Sequence, residues 1–201
     1  MTNLILASQS PARLDLLKNA GFHPTVKASE VDEDQVMKAA DAPNVETYVR
    51  TLAAAKARDV ADGTTEADAL ILGADSALEF EGQILGKPHK ADVASERWKK
   101  MRGKQGKLFT GQSLIDNKSG AQVTESSFTT VWFSDISDLQ IERYVRSGEP
   151  LKVAGAFTID SLGGAFIEKI EGDYHTVVGL SLRILREMMH KIGYEYTDFW
   201  K

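Results

Sequence analysis

The chain contains no cysteine. Disulfides, thiolate metal sites and a cysteine nucleophile are thereby excluded. Histidine is scarce as well: His23, His89, His175 and His190 stand far apart and never at metal-ligand spacing, which argues against structural or catalytic zinc. No apolar run approaches the length of a bilayer span. The sequence does not open on a basic segment followed by a signal-type apolar core, so the expected compartment is the cytoplasm and no membrane is expected as a partner. Three short signatures are missing too: the GxSxG elbow, the GxxxxGK[ST] phosphate loop and GxGxxG after a strand. Their absence removes the common hydrolase, P-loop and dinucleotide-binding readings. A net charge of −5 argues against a nucleic acid polymer as the main partner.

What remains is an ordinary globular composition, with 42% hydrophobic and 26% charged residues in 201, enough to bury a sizeable core. No linker-like composition, repeat or low-complexity tract marks a boundary, and the whole of residues 1–201 is read as one domain. Apolar strand-like runs alternate with amphipathic segments, which places the chain in the α/β class.

The richest stretch is residues 4–22. Leu4, Ile5 and Leu6 suit a buried strand, residues 7–10 turn, and Pro11 opens a segment with helical period through Leu14, Leu17 and Ala20. Proline is tolerated at the first helical position, and Ser10 before it can cap an orphan backbone N–H. Such a helix start offers unpaired N–H groups and partial positive charge. With the Ser8 and Ser10 hydroxyls and Arg13 one turn in, it can cradle a phosphate, although the same residues also make a routine cap with no ligand.

Further along, residues 22–28 read as an edge strand because of Pro24, and residues 29–34 carry four carboxylates. Those acids suit either a solvated loop or a Mg²⁺ site. The segment from Asn44 to Asp62 is a capped helix with Val45, Tyr48, Val49, Leu52, Ala53 and Ala57 on its buried stripe; Lys56 at the stripe's edge suits either snorkelling to solvent or reaching into a cleft, and the pattern alone favours the first. A second apolar strand, residues 69–77, ends in a lone carboxylate, Asp75, where ligands collect in α/β sheets. A hairpin around Glu81-Gly82 leads to Gly86-Lys87-Pro88, whose lysine is held between backbone-restricting residues.

Asp92 is expected to cap a helix ending at Met101, with Ala94, Trp98 and Met101 inside. From Arg97 to Lys107 there are six basic residues and no acid, read as a solvated surface before a polynucleotide patch. Strands follow over 108–115 and 123–133, then a capping box, Ser137 with Gln140, on a helix over 138–146. Residues 149–157 and on through Gly163-Gly164 read as an irregular glycine-rich loop, residues 165–170 as a strand, and residues 180–191 as a last helix with Met188 and Met189 as core filler.

Ser8, Ser10, Arg13, Glu33 with its acidic neighbours, Lys56, Asp75 and Lys87 together contain what a metal-bound triphosphate needs: cations, hydroxyls and carboxylates. The same residues follow a family pattern in order. LASQSPARLDLL, GADSALEFEGQILGKP and GEPLKVAGAF with GGAFIEKIEGDYHTVVGL make the chain resemble the Maf family of nucleoside triphosphate pyrophosphatases along nearly its whole length.

The resemblance implies an elongated α/β mixed sheet with flanking helices, two lobes around a cleft as in inosine-triphosphate pyrophosphatases, and frequent homodimers. It implies hydrolysis between the α and β phosphates of a nucleoside triphosphate with Mg²⁺ or Mn²⁺. By position, Ser8, Ser10, Arg13, Lys56 and Lys87 would bind phosphate, Glu33 and Asp75 would hold the metal and activate water, and Asp160 would face the base. Three positions depart from the family pattern: Ala12 replaces an arginine, Ser76 a threonine and Asp160 a glutamine. Because a carboxylate only accepts hydrogen bonds whereas an amide also donates, the base preference is not carried over. A catalytically weak, nucleotide-binding regulator of septum formation is the alternative that the resemblance also allows.

Overall fold

The structure is a computed structural model and describes residues 2–40 and 42–200. Its strands are β1 (Asn3–Leu6), β2 (Thr25–Val26), β3 (Ala69–Phe80), β4 (Gln83–Leu85), β5 (Gln105–Asp116), β6 (Gln122–Phe133) and β7 (Ile167–Glu171). Its helices are α1 (Pro11–Asn19), α2 (Glu33–Ala40), α3 (Val45–Asp62), α4 (Ala91–Met101), α5 (Asp138–Arg146), α6 (Tyr174–Val178) and α7 (Leu182–Lys191). The strand order is β2-β1-β3-β5-β6-β7, with β4 paired to β3. β1 runs parallel to β2 and β3, whereas β3–β4 and β6–β7 are antiparallel, so the sheet is mixed and the fold α/β, as expected. Among the described residues no helix is long and apolar enough to cross a membrane.

Two compact units divide the chain: Met1–Asp75 with Thr110–Ser127 and Gly179–Lys201, and Ser76–Phe109 with Phe128–Val178. In the first, the alternation of strand side chains separates two apolar layers. Leu4, Leu6, Leu70 and Leu72 pack with Leu17 of α1 and Ile184, Leu185, Met188 and Met189 of α7, while Ile5, Ala7, Ala69 and Ile71 pack with Ala57, Val60 and Ala61 of α3. Strands covered on both faces read as continuous apolar runs, which is why β1 and β3 are visible in the sequence.

Glycine brings α3 unusually close to the sheet. A Cβ on Gly73 of β3 would stand 2.3 Å from the Ala53 carbonyl oxygen and 2.7 Å from the Ala57 nitrogen, and one on Gly111 of β5 would stand 2.3 Å from the Val49 carbonyl oxygen. Only a hydrogen fits at either place.

The second unit is built on Trp98 of α4, fully buried among Leu78, Phe133, Tyr144 and Phe157, with its indole N–H donating to the Ala156 carbonyl at 2.7 Å. The β3–β4 turn places Glu81 and Gly82 at φ +49° and +76°, as a two-residue hairpin loop of that twist requires. Ser137 and Gln140 make the expected reciprocal capping box on α5.

Several expectations need correction. The acidic stretch is not all loop: Glu33 and Asp34 form the first turn of α2, which Asp32 caps by accepting the Gln35 N–H at 3.0 Å. The edge strand at Pro24 shrinks to Thr25–Val26. α4 starts at Ala91 without a side-chain cap, and Asp92 lies in its first turn. The glycine-rich loop winds into three short 3-10 segments, Glu149–Lys152, Ala154–Ala156 and Leu162–Phe166, the last occupying the start of the expected strand. The expected last helix is preceded by α6 and begins only at Leu182, capped by Ser181.

Candidate active site

β1 ends at Leu6, the chain turns, and Ser10 caps α1 by accepting the Arg13 N–H at 3.4 Å, with Pro11 at the first helical position. Arg13 then folds back under the turn. Its Nε donates to the Gly179 carbonyl at 2.7 Å, and its Nη1 donates to Ser8 Oγ at 3.0 Å and to the Ala74 carbonyl at 2.9 Å. Ser8 Oγ also accepts from the Ser10 N–H at 3.2 Å, so what that hydroxyl still offers a ligand is its proton. Arg13 therefore ties the start of α1 to the residue immediately before Asp75, and it is nearly fully buried in doing so. Burial pulls its guanidinium below the ordinary arginine range, while Asp75 and Glu33 oppose that fall.

Asp75 lies two residues beyond Gly73 on β3, hence on the same face, toward α3. Close contact of Ala53 and Ala57 with Gly73 sets Lys56 within reach of it. Lys56 Nζ donates to Asp75 Oδ1 at 2.6 Å and lies 2.7 Å from Glu33 Oε1 at the start of α2. The ammonium is buried, with side-chain exposure of 11% against 12% for Asp75 and 44% for Glu33. Lys56 does not reach solvent as the helix pattern alone suggested; it is the bridge between two carboxylates. Burial first of all pushes the Asp75 carboxyl above the ordinary range, with Glu33 adding to the rise and Lys56 and Arg13 opposing it. That direction moves Asp75 toward the range in which a general base works.

Tyr48, assigned to the core stripe from its spacing, is half-buried and shares this environment. Its phenol is pushed up to about 12 by burial, then by Asp75, Glu33 and Asp34, so it remains a hydrogen donor facing acids.

The family model described as Maf-like protein matches residues 3–192. The chain belongs to the Maf-like family. Its relatives include a nucleoside triphosphate pyrophosphatase of Leifsonia xyli subsp. xyli, 46% identical over 98% of this chain and 96% of that protein. Another, from Gloeothece citriformis, is 47% identical over 98% and 97% of the two chains. Among solved structures, the Ham1 protein of Staphylococcus aureus aligns with 98% of this chain and 93% of its own at 10% identity, with a TM-score of 0.45.

In this Maf-like chain the structure thus gathers Ser8, Ser10, Arg13, Glu33, Lys56 and Asp75 within the first unit. Lys87 and Asp160 belong to the second, where both side chains are exposed. The backbone around Lys87 is held from two sides: Arg97 Nη1 and the Gly155 N–H both donate to the Gly86 carbonyl, at 2.6 and 3.3 Å, and the His89 N–H donates to the Leu151 carbonyl at 2.9 Å. Asp160 sits in a loop organised by Glu149, which accepts from Tyr144 Oη at 2.9 Å, the Gly163 N–H at 2.9 Å and the Leu162 N–H at 3.1 Å.

Much of the basic segment is engaged within the protein. Arg97 holds Gly86, Lys99 pairs with Glu96 at 3.5 Å, Arg102 with Asp138 at 2.6 Å and Lys104 with Glu81 at 2.7 Å.

Proposed function

We propose that this chain hydrolyses a nucleoside triphosphate between its α and β phosphates, giving the nucleoside monophosphate and pyrophosphate. The observation that carries the reading is the Glu33–Lys56–Asp75 bridge, set beside the serine-lined start of α1 in a Maf-like chain.

The donors suit a hard divalent cation. Glu33 and Asp75 present oxygen alone, and both reach one small cation, the Lys56 ammonium, at 2.7 and 2.6 Å. No group of three or more acidic or histidine side chains suited to a metal occurs among the described residues. Two carboxylates, with water and phosphate oxygens completing the shell, are the ligand set Mg²⁺ ordinarily uses, and Mn²⁺ accepts it as well. Once bound, such a cation supplies charge neutralisation on the phosphates and a lowered pKa for its water.

The protein's own groups do the rest. Asp75 accepts the proton of the attacking water as its oxygen bonds to the α phosphorus and the bond to the bridging oxygen breaks, releasing pyrophosphate. Lys56 counters the charge growing on that leaving group, and Lys87 is assigned to phosphate as the family pattern has it. The Ser8 and Ser10 hydroxyls at the start of α1 donate to phosphate oxygens, Arg13 adds positive charge behind them, and Asp160 is assigned to the base. The reading includes a cytoplasmic location and a homodimer, the latter tested by sedimentation of the purified chain at two concentrations.

The direct test is pyrophosphate release from a panel of ordinary and modified nucleoside triphosphates, with Mg²⁺, Mn²⁺ or chelator. Metal-dependent release supports the reading; silence across the panel from folded protein refutes it.

A further inference from the structure

The bridged pair and its two cations offset one another in charge. Glu33 and Asp75 contribute two negative charges, Lys56 and Arg13 two positive ones, and Lys56 Nζ stands 2.7 and 2.6 Å from the two carboxylates. On the reading above, those are the oxygens that would hold the divalent cation. A doubly charged ion brought alone to the same two oxygens would face the ammonium at close range and leave a mostly buried cluster two charges out of balance. A polyphosphate removes both obstacles, since it brings negative charge and offers the ammonium new acceptors.

We propose that Lys56 is a built-in counter-ion that keeps the divalent cation off the Glu33–Asp75 pair until a triphosphate arrives to take the ammonium. The inference rests on the hydrolase reading of this site. Gly73 and Gly111 press α3 onto the sheet at Ala53, Ala57 and Val49, so the exchange belongs to the lysine side chain, whose stem is flexible, and not to a shift of the helix. Metal and nucleotide then bind cooperatively, and by linkage each raises the affinity for the other by the same factor.

The test is Mn²⁺ binding to the whole chain, read from the paramagnetic resonance signal of the free ion. It is done without nucleotide and with a non-hydrolysable α,β-methylene triphosphate, against the same mixtures lacking protein. The analogue should tighten Mn²⁺ binding to wild type at least tenfold. Without nucleotide, Lys56→Met should bind Mn²⁺ at least tenfold more tightly than wild type and show a smaller response to the analogue, whereas Lys56→Arg, which keeps the charge, should stay weak.

Equal Mn²⁺ affinity in wild type and folded Lys56→Met overturns the proposal. So does tight binding by Lys56→Arg. If Lys56→Met does not fold, the wild-type coupling decides: an analogue that leaves Mn²⁺ affinity unchanged overturns it. Coupling without pyrophosphate release would keep this inference and sink the hydrolase reading, and release without coupling would do the reverse.

Discussion

Gly73 lies flush against Ala53: a single methyl on its α carbon would stand 2.3 Å from the Ala53 carbonyl oxygen. The contact sets the distance between α3 and β3, and through it the meeting of Lys56 with Asp75. Gly73→Ala must push backbone, not a flexible side-chain end, so it should cost at least the ~1–3 kcal/mol typical of overpacking. Thermal denaturation should show a lower Tm, and pyrophosphate release at a temperature where the variant is folded should fall further than the stability loss explains. A variant with wild-type Tm and activity would show that the spacing is not controlled here.

Asp75 should reveal itself in the pH dependence of stability. Burial raises its pKa above the unfolded value, so between the two the folded protein holds more protons than the unfolded chain. The stability its protonated form contributes is fully present below the unfolded value and is lost as pH rises through the folded one. An asparagine side chain at this position cannot ionise, hence the Tm of Asp75→Asn relative to wild type should climb as pH rises from the acid side toward neutrality. A change of ~1 kcal/mol corresponds to about 2–4 °C in a chain of this size. A pH-independent difference would contradict the assigned direction.

Glu149 has the opposite sign. Burial opposes its ionisation, but the hydrogen bonds from Thr158, the Gly163 N–H and Tyr144 outweigh it and hold the carboxyl below the ordinary range. The stability it gives is present above the unfolded value and is lost as pH falls through the folded one. Glu149→Gln should free the loop bearing Asp160, seen as faster proteolysis or amide exchange over residues 158–163 at neutral pH, with little difference from wild type in acid. Unchanged exchange in that loop would rule out the organising role.

Arg97 should act through Lys87. Replacing it by Met removes the 2.6 Å hydrogen bond to the Gly86 carbonyl, one residue before the lysine. The expected result is a fall in kcat/KM of about tenfold, about 1.4 kcal/mol, that disappears when the same change is made in Lys87→Ala. Additive losses in the double variant would separate the two residues.

Local signals were legible where one short stretch determines an element. Ser10-Pro11, Asn44, the Ser137–Gln140 box and the Glu81-Gly82 turn each satisfy their own backbone groups, and each formed where expected. The helix α2 was also written in its cap, Asp32 followed three residues later by Gln35, but the acidic run around it resembles solvated loop.

Lys56 is different in kind. Its partners lie 19 and 23 positions away, and no local pattern distinguishes a lysine at the edge of an apolar stripe that will snorkel from one that two carboxylates will bury. The close approach that buries it depends on Gly73 and Gly111, whose meaning appears only once α3 lies on them. Tyr48 was hidden for the same reason, since its spacing marks an inward face without saying that acids wait there.

Asp75, held by Lys56, is the group assigned to activate water for attack on a nucleoside triphosphate. Pyrophosphate release by wild type and Asp75→Asn, compared with Mg²⁺ present and with Tm recorded for both, tests it most directly. Wild type should release pyrophosphate only with metal present, and a folded Asp75→Asn should lose at least a hundredfold in kcat, in keeping with removal of a general base. Turnover by folded Asp75→Asn at the wild-type rate would contradict it.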